Sequence, residues 1–84
     1  MPSGPRPYEP QKGLAQAVRT LRERAGLTPS ELAERAGTST SWLSRIESGA
    51  YDPSWGSMRR VAGGLGVSME VLSEVAEENE QRKD

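Results

Sequence analysis

Residues 28–49 read TPSELAERAGTSTSWLSRIESG and contain the clearest helix-start and helix-end signals of the chain. Thr28 and Glu31 have the spacing of a capping box, in which each side chain accepts a hydrogen bond from the other residue's backbone, so a helix is predicted to begin here. Gly37 predicts its end, because glycine adopts the left-handed conformation that a sharp turn between helices requires. A further cap and a closing glycine predict a second helix over about residues 40–48. The stretch therefore predicts two short helices joined by a tight turn.

Small and apolar residues form one apolar face on each of these predicted helices. Leu32, Ala33 and Ala36 lie on one face of the first helix, and Leu43 and Ile46 lie on one face of the second. Because Ala33 is small, the second helix can cross the first closely and at a steep angle. The second helix then projects outward, and a projecting helix of this width fits the DNA major groove.

Three further amphipathic segments, one before this pair and two after it, complete a predicted bundle. The residues predicted to point inward are Leu14, Val18, Leu21 and Ala25, then Trp55, Met58, Val61, Ala62 and Leu65, then Met69, Val71, Leu72 and Val75. No strand pattern competes, so the predicted fold class is all-α, a compact five-helix domain over residues 13–76. A flexible proline-rich arm (1–12) is predicted before it and an acidic frayed tail (77–84) after it.

The composition excludes most catalytic chemistry. The 84 residues suffice for one small domain, and the chain contains neither cysteine nor histidine. Disulfides, zinc sites and the usual Ser-His-Asp or Cys-His nucleophiles are therefore excluded, and we expect no metal, no cofactor and no enzymatic activity. No apolar run approaches the ~18 residues of a membrane span, and the first ten residues lack the layout of a secretory signal. A cytoplasmic protein without membrane contact is expected.

Charge is unevenly distributed, although the net charge is only −1. Residues 1–66 hold nine basic and six acidic residues, a balance of +3, whereas residues 67–84 hold two basic and six acidic residues, a balance of −4. A mildly basic body with an acidic end fits a nucleic-acid binder. A solvated acidic helix end explains the same distribution, so charge alone does not decide between them.

Three stretches together resemble a known family. They are LRERAGLTPSELAERAGTSTSWLSRIESG, the dipeptide Pro53-Ser54, and LGVSMEVL, and they cover about residues 13 to 75. Their caps, turns and apolar positions are similar in one register to those of the Cro/C1-type (Xre-like) helix-turn-helix regulators of phages and bacteria. The resemblance implies a lambda-repressor-like domain that binds double-stranded DNA, with the third helix in the major groove.

The resemblance also implies roles for individual residues. The base-contacting positions of the recognition helix fall on Thr40, Ser41, Ser44 and Arg45. The predicted phosphate contacts are Thr28, Pro29, Ser30, Ser39, Trp42, Ser48 and Tyr51. Arg22 and Glu47 occupy the positions of a family salt bridge between the first and third helices, which fixes orientation more than it adds stability. Arg45 is the one long basic side chain on the predicted outer face of its helix, and its fork suits guanine O6 and N7.

Two departures from the family pattern weaken the expected phosphate contacts. Pro29 stands where the family usually has glutamine, and proline supplies neither a side-chain donor nor a backbone N–H. The loop after Gly49 lacks the Lys or Arg that the family often carries there. The cations that are candidates to replace them are Lys12, Arg59, Arg60 and Arg6.

The leading hypothesis is a sequence-specific transcriptional regulator, specifically a repressor, that acts at the nucleoid as a homodimer on a two-fold-related operator. Linking two half-sites raises the affinity of a recognition helix that carries a single long basic residue. The candidate dimer residues on the last helix are Met69, Leu72 and Val75. Two alternatives stay open: the antitoxin of a toxin–antitoxin pair, and a protein–protein docking module that has kept the fold with weak DNA contacts.

Overall fold

The computed structural model describes residues 12–49 and 52–81. These residues form five α-helices, and no strand occurs among them, as the sequence predicts. The helices are α1 (Lys12–Arg24), α2 (Pro29–Ala36), α3 (Thr40–Ser48), α4 (Trp55–Leu65) and α5 (Met69–Gln81). The predicted all-α fold class is therefore confirmed, and the second and third predicted helices are α2 and α3.

Local hydrogen bonds set the start of α2 and α3 and the turn between them. The Thr28 hydroxyl accepts from the Glu31 amide at 3.1 Å, and the Glu31 carboxylate accepts from the Thr28 amide at 2.9 Å. The Ser39 hydroxyl accepts from the Trp42 amide at 3.0 Å and caps α3. Gly37 has a φ of 72°, which an L side chain rarely adopts. The capping box and the glycine turn are thus confirmed.

The core lies where all five helices meet. α1 packs mainly against α5 and α3, and α2 packs against α4 and α3. The largest fully buried side chains are Val18, Leu32, Leu43, Ile46, Val61 and Leu72. Because α3 is held by only two residues of this set, Leu43 and Ile46, the rest of its short length is available for other contacts.

Gly64 allows α4 to approach α2 closely. A Cβ atom at this position would lie 3.0 Å from Leu32 Cδ1 and 3.1 Å from the Ala36 backbone nitrogen. Real Cβ atoms rarely approach other atoms this closely, so only glycine fits without a shift of the helices. The packing role of this glycine depends on the neighbouring helix, so the sequence of α4 alone does not reveal it.

The last helix is longer than predicted. The sequence predicts a frayed tail from residue 77, whereas α5 continues to Gln81. Glutamate and glutamine are good helix formers, and the Asn79 side-chain amide donates to the Gly13 carbonyl at 3.4 Å, which ties this part of α5 to α1. Residues 1–11, the predicted arm apart from Lys12, and residues 82–84 lie outside the described residues.

Three apolar residues that the sequence predicts to point inward, Ala25, Trp55 and Val71, are exposed, and one candidate dimer residue, Leu72, is buried in the core. Trp55 is predicted to be a core residue but is 67% exposed, because it is the first residue of α4 and Met58, one turn later, occupies the buried position. Leu72 is predicted at a dimer seam but is only 1% exposed. It packs in the core of the single chain, since α5 turns this side toward α1, and it is therefore not a surface for a second chain.

Neither a membrane span nor a metal cluster occurs in the described ranges. None of the five helices is long and apolar enough to cross a bilayer. In residues 12–49 and 52–81, no three acidic side chains come together in a way that could hold a metal ion.

Candidate nucleic-acid interface

The outer face of α3 brings together all four predicted base-contact residues. Separations of one, three and four residues place them on one side of a helix, and the side chains of Thr40, Ser41, Ser44 and Arg45 are all exposed. Leu43 and Ile46 hold the opposite side of α3 in the core. The helix therefore exposes three short hydroxyls and one arginine to solvent, while its opposite side is packed in the core.

The N-termini of α2 and α3 meet beside this face. The Ser30 and Thr40 hydroxyl oxygens lie 3.4 Å apart, and each belongs to the first turn of its helix. The first amides of a helix have no acceptor within the helix, and the helix dipole makes this end positive. Two such ends side by side suit the binding of a phosphate.

The capping box reduces what α2 can offer to an anion. The Glu31 amide already donates to the Thr28 hydroxyl, and Pro29 has no N–H, which leaves the Ser30 amide in the first turn. The Glu31 carboxylate, bonded to the Thr28 amide, adds negative charge at the same place. The hydroxyls of Thr28 and Ser39 accept the capping bonds, but each retains a proton to donate.

The remaining predicted phosphate contacts differ from one another in their surroundings. The Ser48 hydroxyl donates to the Arg45 carbonyl at 2.7 Å. This hydrogen bond must break before the hydroxyl can donate to a phosphate. Trp42 is half-buried and packs against the hydrophobic core. Tyr51 lies outside the described residues.

A salt bridge fixes α3 to α1. Arg22 Nε lies 2.8 Å from Glu47 Oε2, and Arg22 Nη2 donates to Glu47 Oε1 at 3.2 Å. The same guanidinium donates to the Leu27 carbonyl at 3.0 Å. The hydrogen bond that Arg22 donates to the Glu47 carboxylate raises the pKa of Arg22 above its ordinary value, so the arginine stays charged. The predicted bridge is confirmed, and with three hydrogen bonds it defines the position of the guanidinium.

A second arginine, which sequence reasoning does not identify, also contacts Glu47. Arg19 Nη2 donates to the Glu47 backbone carbonyl at 3.3 Å, and Arg19 Nε lies 3.7 Å from the carboxylate. Arg19 precedes Arg22 by three residues and so lies on the same face of α1, which is the signal that would have found it. A cation near the C-terminus of α3 also complements the dipole of that helix.

Among the cations predicted to replace the missing loop charges, Arg60 lies beside the helix pair. It lines a notch of about 110 Å³ with Ala36, Thr38, Trp42 and Ser57, next to the turn between α2 and α3. Arg59 is one residue earlier on α4, and Lys12 begins α1. Arg6 lies outside the described residues.

The packed pair α2 and α3, the glycine turn between them and the exposed polar face of α3 define a helix-turn-helix protein. The chain belongs to the helix-turn-helix domain family, whose model matches residues 14–75. This match covers most of α1, all of α2, α3 and α4, and the first part of α5.

Regulators with similar sequences share this region. Over 59 residues, the chain is 37% identical to the immunity repressor protein of Bacillus phage phi105. The matched region covers 70% of this chain and 41% of that protein. It is 42% identical over 55 residues to an uncharacterised HTH-type transcriptional regulator of Mycobacterium tuberculosis, covering 66% of this chain and 39% of the relative. The chain thus spans about two fifths of the length of these two relatives.

The fold is similar to that of a solved controller protein. The wild-type restriction-modification controller protein C.Esp1396I matches with a TM-score of 0.81 over 88% of this chain and 96% of that one. The two sequences are 22% identical, so this likeness concerns the arrangement of the helices.

Proposed function

We propose that this chain is a sequence-specific DNA-binding transcriptional regulator that places α3 in the major groove of double-stranded DNA. The observation that carries the proposal is the outer face of α3, where Thr40, Ser41, Ser44 and Arg45 are exposed together. Membership of the helix-turn-helix family supports it. Arg45 reads guanine with its planar fork, and the three short hydroxyls contact bases or phosphates once the helix lies deep in the groove.

The Arg22–Glu47 bridge serves this function by orienting α3. A recognition helix reads bases only if its side chains reach them at fixed positions, and α3 has just nine residues. The adjoining N-termini of α2 and α3 then hold a backbone phosphate, and Arg60 supplies a further positive charge beside the turn. These contacts position the domain, whereas the face of α3 selects the sequence.

We further propose that the chain represses transcription as a homodimer, in the cytoplasm, through binding rather than catalysis. The similar phage protein is named an immunity repressor, which supports repression. Because one short helix with a single arginine contacts few base pairs, two linked copies on a two-fold site bind far more tightly than one.

A selection from random duplex DNA at low salt, followed by sequencing of the bound pool, tests the proposal. Enrichment of a palindrome whose half-sites are separated by about one helical turn is the expected result for a dimeric sequence reader. A pool without any preferred sequence would contradict sequence-specific binding.

One observation favours a second candidate, a docking module that binds another protein. The start of α2 combines Pro29 with the Glu31 carboxylate and so offers a phosphate less than a free helix end does. The two functions differ in their response to salt, because phosphate contacts release counterions and weaken steeply as salt is added. An apolar protein interface does not weaken in this way.

A further inference from the structure

Arg19 places a positive charge at the C-terminal end of α3. Its Nη2 donates to the Glu47 backbone carbonyl at 3.3 Å, whereas its Nε lies 3.7 Å from the carboxylate, which is beyond hydrogen-bond distance. A guanidinium has five N–H donors, and among the described residues Arg19 uses one of them. Because the side chain is 47% exposed, the remaining donors can bind a group that arrives from solvent.

Glu47 does not cancel the charge of Arg19. The Glu47 carboxylate accepts from Arg22 Nε at 2.8 Å and from Arg22 Nη2 at 3.2 Å, so Arg22 already bonds both of its oxygens. Two arginines and one glutamate together carry a net charge of +1. Since the Arg22 side chain is only 12% exposed, the surplus positive charge lies on Arg19, the exposed member of the group.

This surplus charge lies beside the face of α3 that is proposed to read bases. Glu47 follows Ser44 by three residues, so the two are neighbours on the surface of the helix, and Arg19 approaches this side of α3 from α1. The loop that follows α3, residues 50–54, contains neither lysine nor arginine. A cation from another helix thus stands close to the place where the loop carries none.

We propose that Arg19 binds a backbone phosphate of the DNA at the C-terminal end of α3. The ligand is a phosphodiester oxygen, which an arginine binds through charge-assisted hydrogen bonds. The proposal rests on the proposed function, because it names a residue through which the DNA-bound domain is held. It adds a second phosphate site, at the end of the recognition helix opposite to the N-termini of α2 and α3.

The C-terminal end of a helix repels a phosphate unless a cation covers it. The last carbonyls of α3 carry partial negative charge, in contrast to the first amides at its other end. Arg19 donates to one of these carbonyls, that of Glu47, and so reduces the repulsion. The same guanidinium can therefore contact the helix end with one donor and a phosphate with others.

The length of α3 fits a phosphate contact at each end. Nine residues at about 1.5 Å per residue make a helix ~13 Å long, and the major groove is ~12 Å wide. A helix of this length that crosses the groove has its ends near the phosphates of the two strands. In this arrangement the N-termini of α2 and α3 contact one strand, and Arg19 contacts the other.

Salt titrations of DNA binding by the wild type and Arg19→Ala test the proposal. Fluorescence anisotropy of the full chain measures affinity for the best selected duplex and for a duplex of random sequence, at four concentrations between ~50 and ~200 mM salt. We expect Arg19→Ala to lower affinity about five- to tenfold at the lowest salt, equally for both duplexes, because a phosphate contact carries no sequence information. The slope of log affinity against log salt should become shallower by about 0.9, the value for one phosphate.

Two further variants serve as controls. Arg24→Ala removes another exposed arginine of α1, one that makes no hydrogen bond or ion pair to α3 within residues 12–49 and 52–81, and its affinity and slope should equal those of the wild type. Arg19→Lys keeps the charge and should retain the slope and most of the affinity. An Arg19→Ala variant that keeps the wild-type slope, or that weakens only the selected duplex, would overturn the proposal, because Arg19 would then act only by positioning α3.

The experiment separates this proposal from the proposed function. If the wild type binds duplexes without sequence preference, and Arg19→Ala weakens this binding with a shallower slope, the phosphate site stands and sequence-specific binding fails. If the selection yields half-sites while Arg19→Ala keeps the wild-type slope, the proposed function stands and the phosphate site fails. A wild type that binds neither duplex would overturn both.

Discussion

Arg45 is the residue whose chemistry reads sequence in the proposed complex. It is exposed on α3, so its removal leaves the core untouched. Arg45→Ala should lower affinity for the best selected site at least tenfold, the loss of about one bidentate contact to guanine, with an unchanged melting temperature. Fluorescence anisotropy with labelled duplex measures the loss. The matched control is Arg24→Ala, which removes an equally charged exposed arginine at the end of α1; unchanged affinity in Arg45→Ala would contradict base reading by this residue.

Arg22 and Arg19 contact the same carboxylate but differ in burial. The Arg22 side chain is 12% exposed and the Arg19 side chain 47% exposed. Arg22→Ala leaves Glu47 charged and nearly buried, so the free energy of unfolding should fall by about 2–3 kcal/mol. Thermal unfolding should shift down by about 10 °C or more, and DNA affinity should fall with it.

Arg19→Ala is the control for this effect. An exposed ion pair contributes little to stability, so Arg19→Ala should lower the free energy of unfolding by less than about 0.5 kcal/mol. Equal melting temperatures for the wild type and Arg22→Ala would contradict the proposal that the Arg22–Glu47 bridge orients α3.

At the scale of the helix, α4 contains two adjacent glycines with opposite expected behaviour. A Cβ at Gly64 would press on Leu32 and the Ala36 backbone, whereas a Cβ at Gly63 meets nothing within 4 Å. Gly63→Ala should raise the free energy of unfolding by up to ~1 kcal/mol, the difference in helix propensity. Gly64→Ala gains the same helix propensity but presses α4 against α2. The free energy of unfolding should therefore fall by about 1–2 kcal/mol in this variant. Urea unfolding compares the two; stabilisation by both would contradict close packing at Gly64.

Local features of the helices could be predicted from sequence, and features that depend on a neighbouring helix could not. The capping box at Thr28 and the turn at Gly37 follow from bonds within a few residues. The exposure of Trp55, the extension of α5 to Gln81 and the close approach at Gly64 depend on which helix lies beside each residue. The helical period alone does not provide this information.

The same distinction applies to the candidate site. The outer face of α3 follows from spacing once Leu43 and Ile46 are assigned to the core. The contact of Arg19 with Glu47 follows from its three-residue spacing to Arg22 once the family resemblance has paired Arg22 with Glu47. The position of Arg60 beside the turn depends on distances between helices, which the spacing does not contain.

For the molecule as a whole, the number of phosphate contacts sets how strongly salt weakens DNA binding. With few cations near α3, we expect DNA affinity to fall about 10- to 100-fold between ~50 and ~200 mM salt, as for two to four phosphate contacts. Titrations of labelled duplex at four salt concentrations measure this dependence; a DNA affinity independent of salt would instead favour the docking module.

The two tryptophans of this chain lie in different surroundings, and each therefore reports on a different event. Trp42 is half-buried on α3, while Trp55 is exposed at the start of α4. Solvent-exposed indole emits at longer wavelength than shielded indole. A Trp55→Phe variant would leave Trp42 as an intrinsic optical probe of the recognition helix. A blue shift that the wild type shows on concentration, and that this variant lacks, would come from Trp55.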